Sequence, residues 1–344
     1  MEHQTMTTIA NFNFYLVAHE LAHQWFGDHI TCGNWQDIWI NEGFASYFEY
    51  IAAQEIYGQD FADNWMDQAM SIALGETRGS VFVPEEYAEN AYRVFDKGLS
   101  YKKGAILLHM IRYIVDDDEV FFRILGTYLK EYAGTVAIAE DFRAVLERES
   151  AKDFGIFFEQ WYYGEGFPRF SLHWEQMGDS LLITSEQGTS APDITPLFQV
   201  PFELEVLLVG GEKRRIKLEQ VSAEEHFSIY LPKERVETII FDPDNWLLNE
   251  SEIMQLQSYE SPFRYGPNPV TDELFVQSVN SDRIQLIRIT NLAGSQLLQL
   301  EDLDNPVLLD LSAFANGTYL LEMDSDRGSH IERIIKVSNS IQLP

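Results

Sequence analysis

The chain has 344 residues, 45% of them apolar and 13% aromatic, with 24 basic against 55 acidic side chains. That length carries two or three domains, and a composition this apolar excludes wholesale disorder. A formal charge of −31 repels nucleic acid and anionic membranes, so neither is expected as a partner.

Cys32 is the only cysteine, so no intrachain disulfide can form. That suits a cytosolic protein, and equally an exported bacterial protein that lives without disulfides. No apolar run approaches the length of a membrane span. The first residues, MEHQTMTT, lack the basic start and apolar core of a signal peptide.

Residues 1–167 read as helical. FNFYLVAHELAHQWFG is expected to close on Gly27, and NEGFASYFEYIAAQEIYG to open at Asn41 and close on Gly58. Apolar stripes at helical spacing follow in SYKKGAILLHMIRYIV, with Ser100 as its N-cap, in EVFFRILGTYLKEY and in EDFRAVLERES. The aromatic run FFEQWYYGEGF reads as core.

From 168 the period changes to alternation. FSLHWE, SLLITSE, FELEVLLVGG, RRIKLEQ, HFSIYLP and VETIIFD read as strands of an antiparallel sandwich over 168–250. Residues 251–266, polar and containing a proline, read as a linker. ELFVQSV, IQLIRITN, SQLLQL, VLLDL, NGTYLLEMD and IERIIKVS then predict a second small all-β unit over 267–344, with turns at Asn291 to Gly294 and at Asn316-Gly317.

HELAHQWFGD, residues 19–28, carries the clearest chemistry. Residues four apart on a helix share a face, so His19 and His23 can aim two ring nitrogens at one ion. Glu20 projects beside them, toward a water on that ion. Imidazole nitrogen and few ligands suit zinc; the bland alternative is a structural helix with two satisfied histidines. A third ligand separates the two, and Glu42, at the head of the next helix, follows His23 after eighteen intervening residues. Two histidines, a glutamate and an exchangeable fourth position make a catalytic zinc shell. Asn-Glu-Gly is also a poor helix start if packing were its only task. His29, His109, His173 and His226 have no partner at ligand spacing and read as packing or surface. Asp28 and Asp37 are candidates to orient a ligating histidine, or simply solvated carboxylates.

HELAHQWFGD followed by WQDIWINEGFASYFEY resembles the aminopeptidase N family of gluzincin metallopeptidases, peptidase family M1. The likeness covers residues 1 to about 165, eighteen-residue spacing included, and extends more loosely to FDPDNWLL. It implies a multidomain α+β protein: a mainly helical gluzincin (thermolysin-like) catalytic domain followed by two small antiparallel β-sandwiches. It implies one Zn²⁺ per chain on His19, His23 and Glu42, with Glu20 as the general base. The family's tyrosine before a Lys-Gly pair falls on Tyr101 in SYKKG, which implies a donor to the oxyanion; alone, it reads as a half-buried surface tyrosine. In the family's Gly-x-Met-Glu-Asn strand the glutamate binds the substrate's free amine. Glu2 falls on it, with His3 in place of the usual asparagine; taken alone, Glu2 reads as a frayed chain end. Peptides with a free N-terminus are the implied substrates.

The family's large β-domain ahead of that strand, its two glycines before the methionine, and the large helical domain of longer members have no counterpart in the sequence. The chain therefore reads as a fragment, or as a gene model begun at an internal methionine, and poor catalysis by it alone is expected. At the other end YGPNPVTDELFVQSV, IRITNLAGSQL, LDLSAFANGTYLLEM and ERIIKVS resemble the C-terminal sorting domain of the type IX secretion system of certain Gram-negative bacteria. A generic adhesion or carbohydrate-binding sandwich is the alternative. The resemblance implies that the secretion machinery is a partner and that the full-length parent passes through the periplasm to the cell surface or the medium. The expected activity is hydrolysis of the N-terminal peptide bond by a zinc-activated water. Its rivals are a zinc endopeptidase of the same class, if Glu2 holds no amine, and a non-catalytic surface protein with a vestigial site.

Overall fold

The computed structural model describes residues 6–177, 179–255, 263–279, 283–326 and 328–337, so Glu2 and His3 lie outside the described residues. The chain divides after residue 256 into two compact units, each with its own hydrophobic core.

In the first unit the helical part runs α1 (Phe14–Ala22), β1 (Ile30–Cys32), α2 (Trp39–Tyr57), α3 (Gln59–Leu74), α4 (Ala91–Val94), a π-helical turn (Lys97–Lys103), α5 (Gly104–Val115), α6 (Asp118–Glu131), β2 (Thr135–Ala137), α7 (Ala139–Ser150), α8 (Gly155–Phe157) and a second π-helical turn (Phe158–Tyr163). α2 is the axis of this part. Its residues are buried on every side, from Trp39 to Ala53, as in a helix that others surround; α1, α3 and α5 pack on it. At Gly43 the approach is backbone to backbone: a methyl group there would lie 3.0 Å from the carbonyl carbon of Gly104 and 3.3 Å from the carbonyl oxygen of Ser100. The aromatic run near 160 is core, with Phe157, Phe158, Trp161, Tyr162 and Phe167 all buried.

Three expectations about these helices are corrected. α1 stops at Ala22, short of Gly27, because the chain turns back to form β1; the Gly27 N–H donates to the Ile30 carbonyl at 2.7 Å. α2 begins at Trp39, two residues before Asn41. Ser100 is no N-cap: it lies inside the π-helical turn that runs straight into α5, and Asp96 caps that turn by accepting the Leu99 N–H at 2.8 Å. β1 and β2, absent from the sequence reading, pair in parallel with Ile30 opposite Thr135.

Seven strands follow: β3 (Pro168–Met177), β4 (Ser180–Thr189), β5 (Val200–Leu208), β6 (Lys213–Gln220), β7 (Glu224–Tyr230), β8 (Val236–Phe241) and β9 (Glu250–Gln255). They form two sheets, ordered β7-β4-β3-β9 and β6-β5-β8. The sheets meet through Phe170, Phe202 and Phe241, whose rings are 4.8 to 5.5 Å apart. The stretch expected as a linker, 251–266, is mostly strand at its two ends. Residues up to 255 belong to β9, which lies parallel to β3 in an otherwise antiparallel sheet; residues 256–262 lie outside the described residues.

In the second unit β10 (Phe263–Gly266), β11 (Glu273–Ser278), β12 (Arg283–Asn291), β13 (Gln296–Asp304), β14 (Val307–Asp310), β15 (Gly317–Ser325) and β16 (Gly328–Lys336) form sheets ordered β10-β11-β14 and β13-β12-β15-β16. These strands pair with one another antiparallel, and an isolated parallel bridge joins Val270 to Lys336 at the end of β16. Phe263, Leu274, Val276, Leu309, Ile287, Ile289, Leu321 and Met323 make a core of alternate residues from both sheets. No helix among the described residues is long and apolar enough to cross a membrane.

Candidate metal centre

α1 starts where the Asn13 side chain accepts the N–H groups of Tyr15 and Leu16 at 3.0 and 3.4 Å, a standard N-cap. It ends one residue before His23, whose backbone is still right-handed helical at φ −58°, ψ −21°. His23 therefore keeps its place one turn beyond His19, on the same face. Glu42 meets them from the first turn of α2. Its two neighbours explain the Asn-Glu-Gly sequence: the Asn41 side chain accepts the Cys32 N–H at 3.1 Å and holds β1, and Gly43 permits the contact with Gly104.

The three side chains are buried, at 8, 3 and 4% exposure. His19 Nε2 lies 3.0 Å from His23 Nε2 and 3.2 Å from Glu42 Oε2, and His23 Nε2 lies 3.5 Å from the same oxygen. Ligand atoms bound tetrahedrally to zinc at about 2.0–2.1 Å stand about 3.4 Å from one another. The observed triangle is close to that size, so the residues fit the ion.

What stands behind the histidines fixes their rings. His19 Nδ1 donates to Glu49 Oε1 at 2.9 Å, and His23 Nδ1 donates to the Phe26 carbonyl at 2.9 Å. With both δ nitrogens used as donors, the ε nitrogens remain for an ion. Burial works against a charge on His19, yet hydrogen bonds with Glu42 and Glu49 raise its ring to about 9. Burial likewise opposes an ionised Glu42, and the two histidines nevertheless hold it down at about 2. The point facing Glu42 thus selects positive charge, whether a proton or a divalent cation.

Tyr101 arrives from the π-helical turn, half-buried, with its ring stacked on that of His19 at 5.9 Å between centroids. Glu20 is half-buried on α1, next to His19. The fold thus gathers His19, His23, Glu42 and Tyr101, with Glu20 beside His19; Glu2 lies outside the described residues. The other candidates are elsewhere. His29 Nε2 faces the Leu129 carbonyl, buried His109 pairs with Tyr47 and stacks on Trp246, His173 is on β3, and His226 bonds Thr184. Asp37 does not orient a histidine: it accepts the Ala139 N–H and the Tyr162 hydroxyl. Glu49 and a backbone carbonyl take that part instead. Glu49 was missed, although it follows Glu42 by seven residues, two turns on the same helix face. Lys102 and Trp65, which bond Glu49, left no signal in the pattern.

Comparison with known proteins adds a second line of evidence. Residues 2–161 match the peptidase family M1 domain, and residues 265–337 match the secretion system C-terminal sorting domain. The chain is 36% identical over 159 residues to aminopeptidase M1-B of Oryza sativa subsp. japonica, covering 44% of this chain and 18% of that protein. It is 31% identical over 178 residues to aminopeptidase N of Lactococcus lactis subsp. lactis, covering 50% of this chain and 21% of that protein. It is 25% identical over 318 residues to tricorn protease-interacting factor F2 of Thermoplasma volcanium, covering 90% and 38%. This chain therefore spans well under half the length of these curated relatives. In fold it is similar to Legionella pneumophila aminopeptidase A, solved in complex with aspartic acid, with a TM-score of 0.56 at 16% identity over 69% of this chain and 26% of that one.

Proposed function

With residues 2–161 a peptidase family M1 domain and residues 265–337 a secretion system C-terminal sorting domain, we propose that this protein is a zinc-dependent aminopeptidase exported by the type IX system. In this reading 1–167 is the gluzincin catalytic domain, followed by sandwiches at 168–250 and 267–344. The observation that carries it is the convergence of His19 Nε2, His23 Nε2 and Glu42 Oε2, all within 4.8 Å of one another, behind rings whose other nitrogens are already committed.

His19, His23 and Glu42 would hold one zinc ion. When bound, zinc supplies Lewis acidity, lowering the pKa of a water molecule and polarising a carbonyl. Glu20 takes the proton of the attacking water and returns it to the leaving amine as the peptide C–N bond breaks. The Tyr101 hydroxyl donates to the oxygen on which negative charge develops. Glu2 pairs with the protonated α-amine of the substrate, which restricts cleavage to the first peptide bond.

The deciding experiment compares a peptide bearing a free N-terminus with its N-acetylated form, each with zinc and with excess chelator. Release of the first residue from the free peptide alone, lost on chelation, is the expected result. Equal cleavage of both peptides, at internal bonds, would mean an endopeptidase. No cleavage by a chain carrying one zinc would leave a vestigial site.

A further inference from the structure

The carboxylate behind His19 is itself held by a cation. Glu49 Oε1 grips His19 Nδ1, while Oε2 accepts the Trp65 indole N–H at 2.7 Å and the Lys102 ammonium at 3.2 Å. Lys102 lies in the π-helical turn directly after Tyr101, and its Nζ sits 4.3 Å from the centre of the Trp65 ring. Lys102 and Glu49 are both largely buried, with side chains 12 and 11% exposed.

Three anchors share the task of placing Glu49, and they differ in kind. Trp65 supplies a short, directional bond from a rigid ring. Lys102 supplies a compact point charge on a flexible stem, at the longer distance. Glu49 therefore keeps its orientation through Trp65 and His19, and what Lys102 adds is chiefly charge. With both side chains largely buried, that charge is weakly screened and acts on anything positive held by His19.

We propose that Lys102 sets the net charge behind the metal: it cancels the Glu49 carboxylate, so the ion is held less tightly and retains more of its positive charge for the substrate. This rests on the reading of His19, His23 and Glu42 as a zinc site. Lys102 is a positioning residue in the electrostatic sense, acting through Glu49 and His19 without touching substrate. A lysine whose role was only to brace Glu49 would make the opposite prediction for metal affinity.

The test measures zinc dissociation constants by chelator competition on the full 344-residue chain. Lys102→Met keeps the stem over Trp65 and removes the charge; zinc should bind about three- to tenfold more tightly, and kcat should fall by a similar factor with KM unchanged. Lys102→Arg should stay within about twofold of the parent, because the charge is restored. Trp65→Phe and Glu49→Gln should change affinity in the other direction, Glu49→Gln by about 10- to 100-fold as is usual for a group orienting a ligand. The visible bands of the cobalt-loaded protein should shift in Lys102→Met and not in Lys102→Arg. If Lys102→Met melts early, neutral Lys102→Gln carries the same expectation. Weaker or unchanged zinc binding in the folded neutral variant overturns the proposal. A parent chain that takes up no zinc overturns the metal-site reading itself, before any variant is compared.

Discussion

Glu20 lies beside His19 on α1 and Tyr101 stacks on the His19 ring from the π-helical turn, and substitution separates the roles proposed for them. Glu20→Gln leaves His19, His23 and Glu42 intact, so zinc content by atomic absorption should stay at one per chain while hydrolysis is abolished. Activity within about tenfold of the parent would remove Glu20 as the base. Tyr101→Phe should keep zinc and KM while kcat falls about 10²–10³-fold, the usual result of deleting one oxyanion donor. An unchanged kcat would leave its ring only the packing role it has against His19. Glu42→Ala, by contrast, removes a ligand and should cost the metal itself.

At the scale of elements, α2 meets the start of α5 backbone to backbone at Gly43, the residue after Glu42. Gly43→Ala tests it, and two effects compete there. Alanine favours a helix by about 1 kcal/mol over glycine, but the added methyl meets Gly104 and Ser100 backbone atoms at 3.0 to 3.3 Å, and backbone yields less easily than a side chain. Overpacking of this kind costs about 1–3 kcal/mol, so the clash wins. A melting temperature lowered by a few degrees, with reduced kcat, is the expected outcome; an unchanged or raised one would show that the helices can part freely.

The turn after β8 gives a pH dependence. Asp242 accepts the Trp246 and Leu247 N–H groups at 2.9 and 2.8 Å, yet burial outweighs these bonds and pushes its carboxyl up to about 6 from 3.8. A pKa raised on folding means that the folded state prefers the protonated form. The associated stability is present below about pH 4 and disappears as pH rises through about 6. About two units at about 1.4 kcal/mol each makes roughly 3 kcal/mol. Denaturant titrations of the parent and Asp242→Asn should show the parent's relative advantage shrinking by that order across this window. Parallel pH profiles would contradict it.

For the whole molecule, the two separate cores carry the argument. His19, His23 and Glu42 all lie in the first unit, and the strands of the second close a core of their own. A chain ending at residue 256 should therefore keep its zinc stoichiometry and its turnover of amino-acid amides, and lose only sorting. Loss of bound zinc on this truncation would show that the second unit supports the first.

The sequence by itself determined whatever depends on near neighbours along the chain. Helical period alone puts His19 and His23 on one face, and two-residue alternation marks most strands from β3 to β16. Glu42 was legible because its spacing from His23 is short; the Asn41 and Gly43 beside it, read as badly suited to packing, in fact serve it, against β1 and Gly104. Tertiary structure decided what faces what across elements. β9 hid in a polar stretch because its partner, β3, lies some eighty residues away, and β1 was too short to show a period. Glu49, Trp65 and Lys102 come from α2, α3 and the turn before α5, and no local pattern links them. Only the packing of those elements around α2 brings an indole, an ammonium and an imidazole to one buried carboxylate, where burial, by weakening solvent screening, gives that meeting its energetic weight.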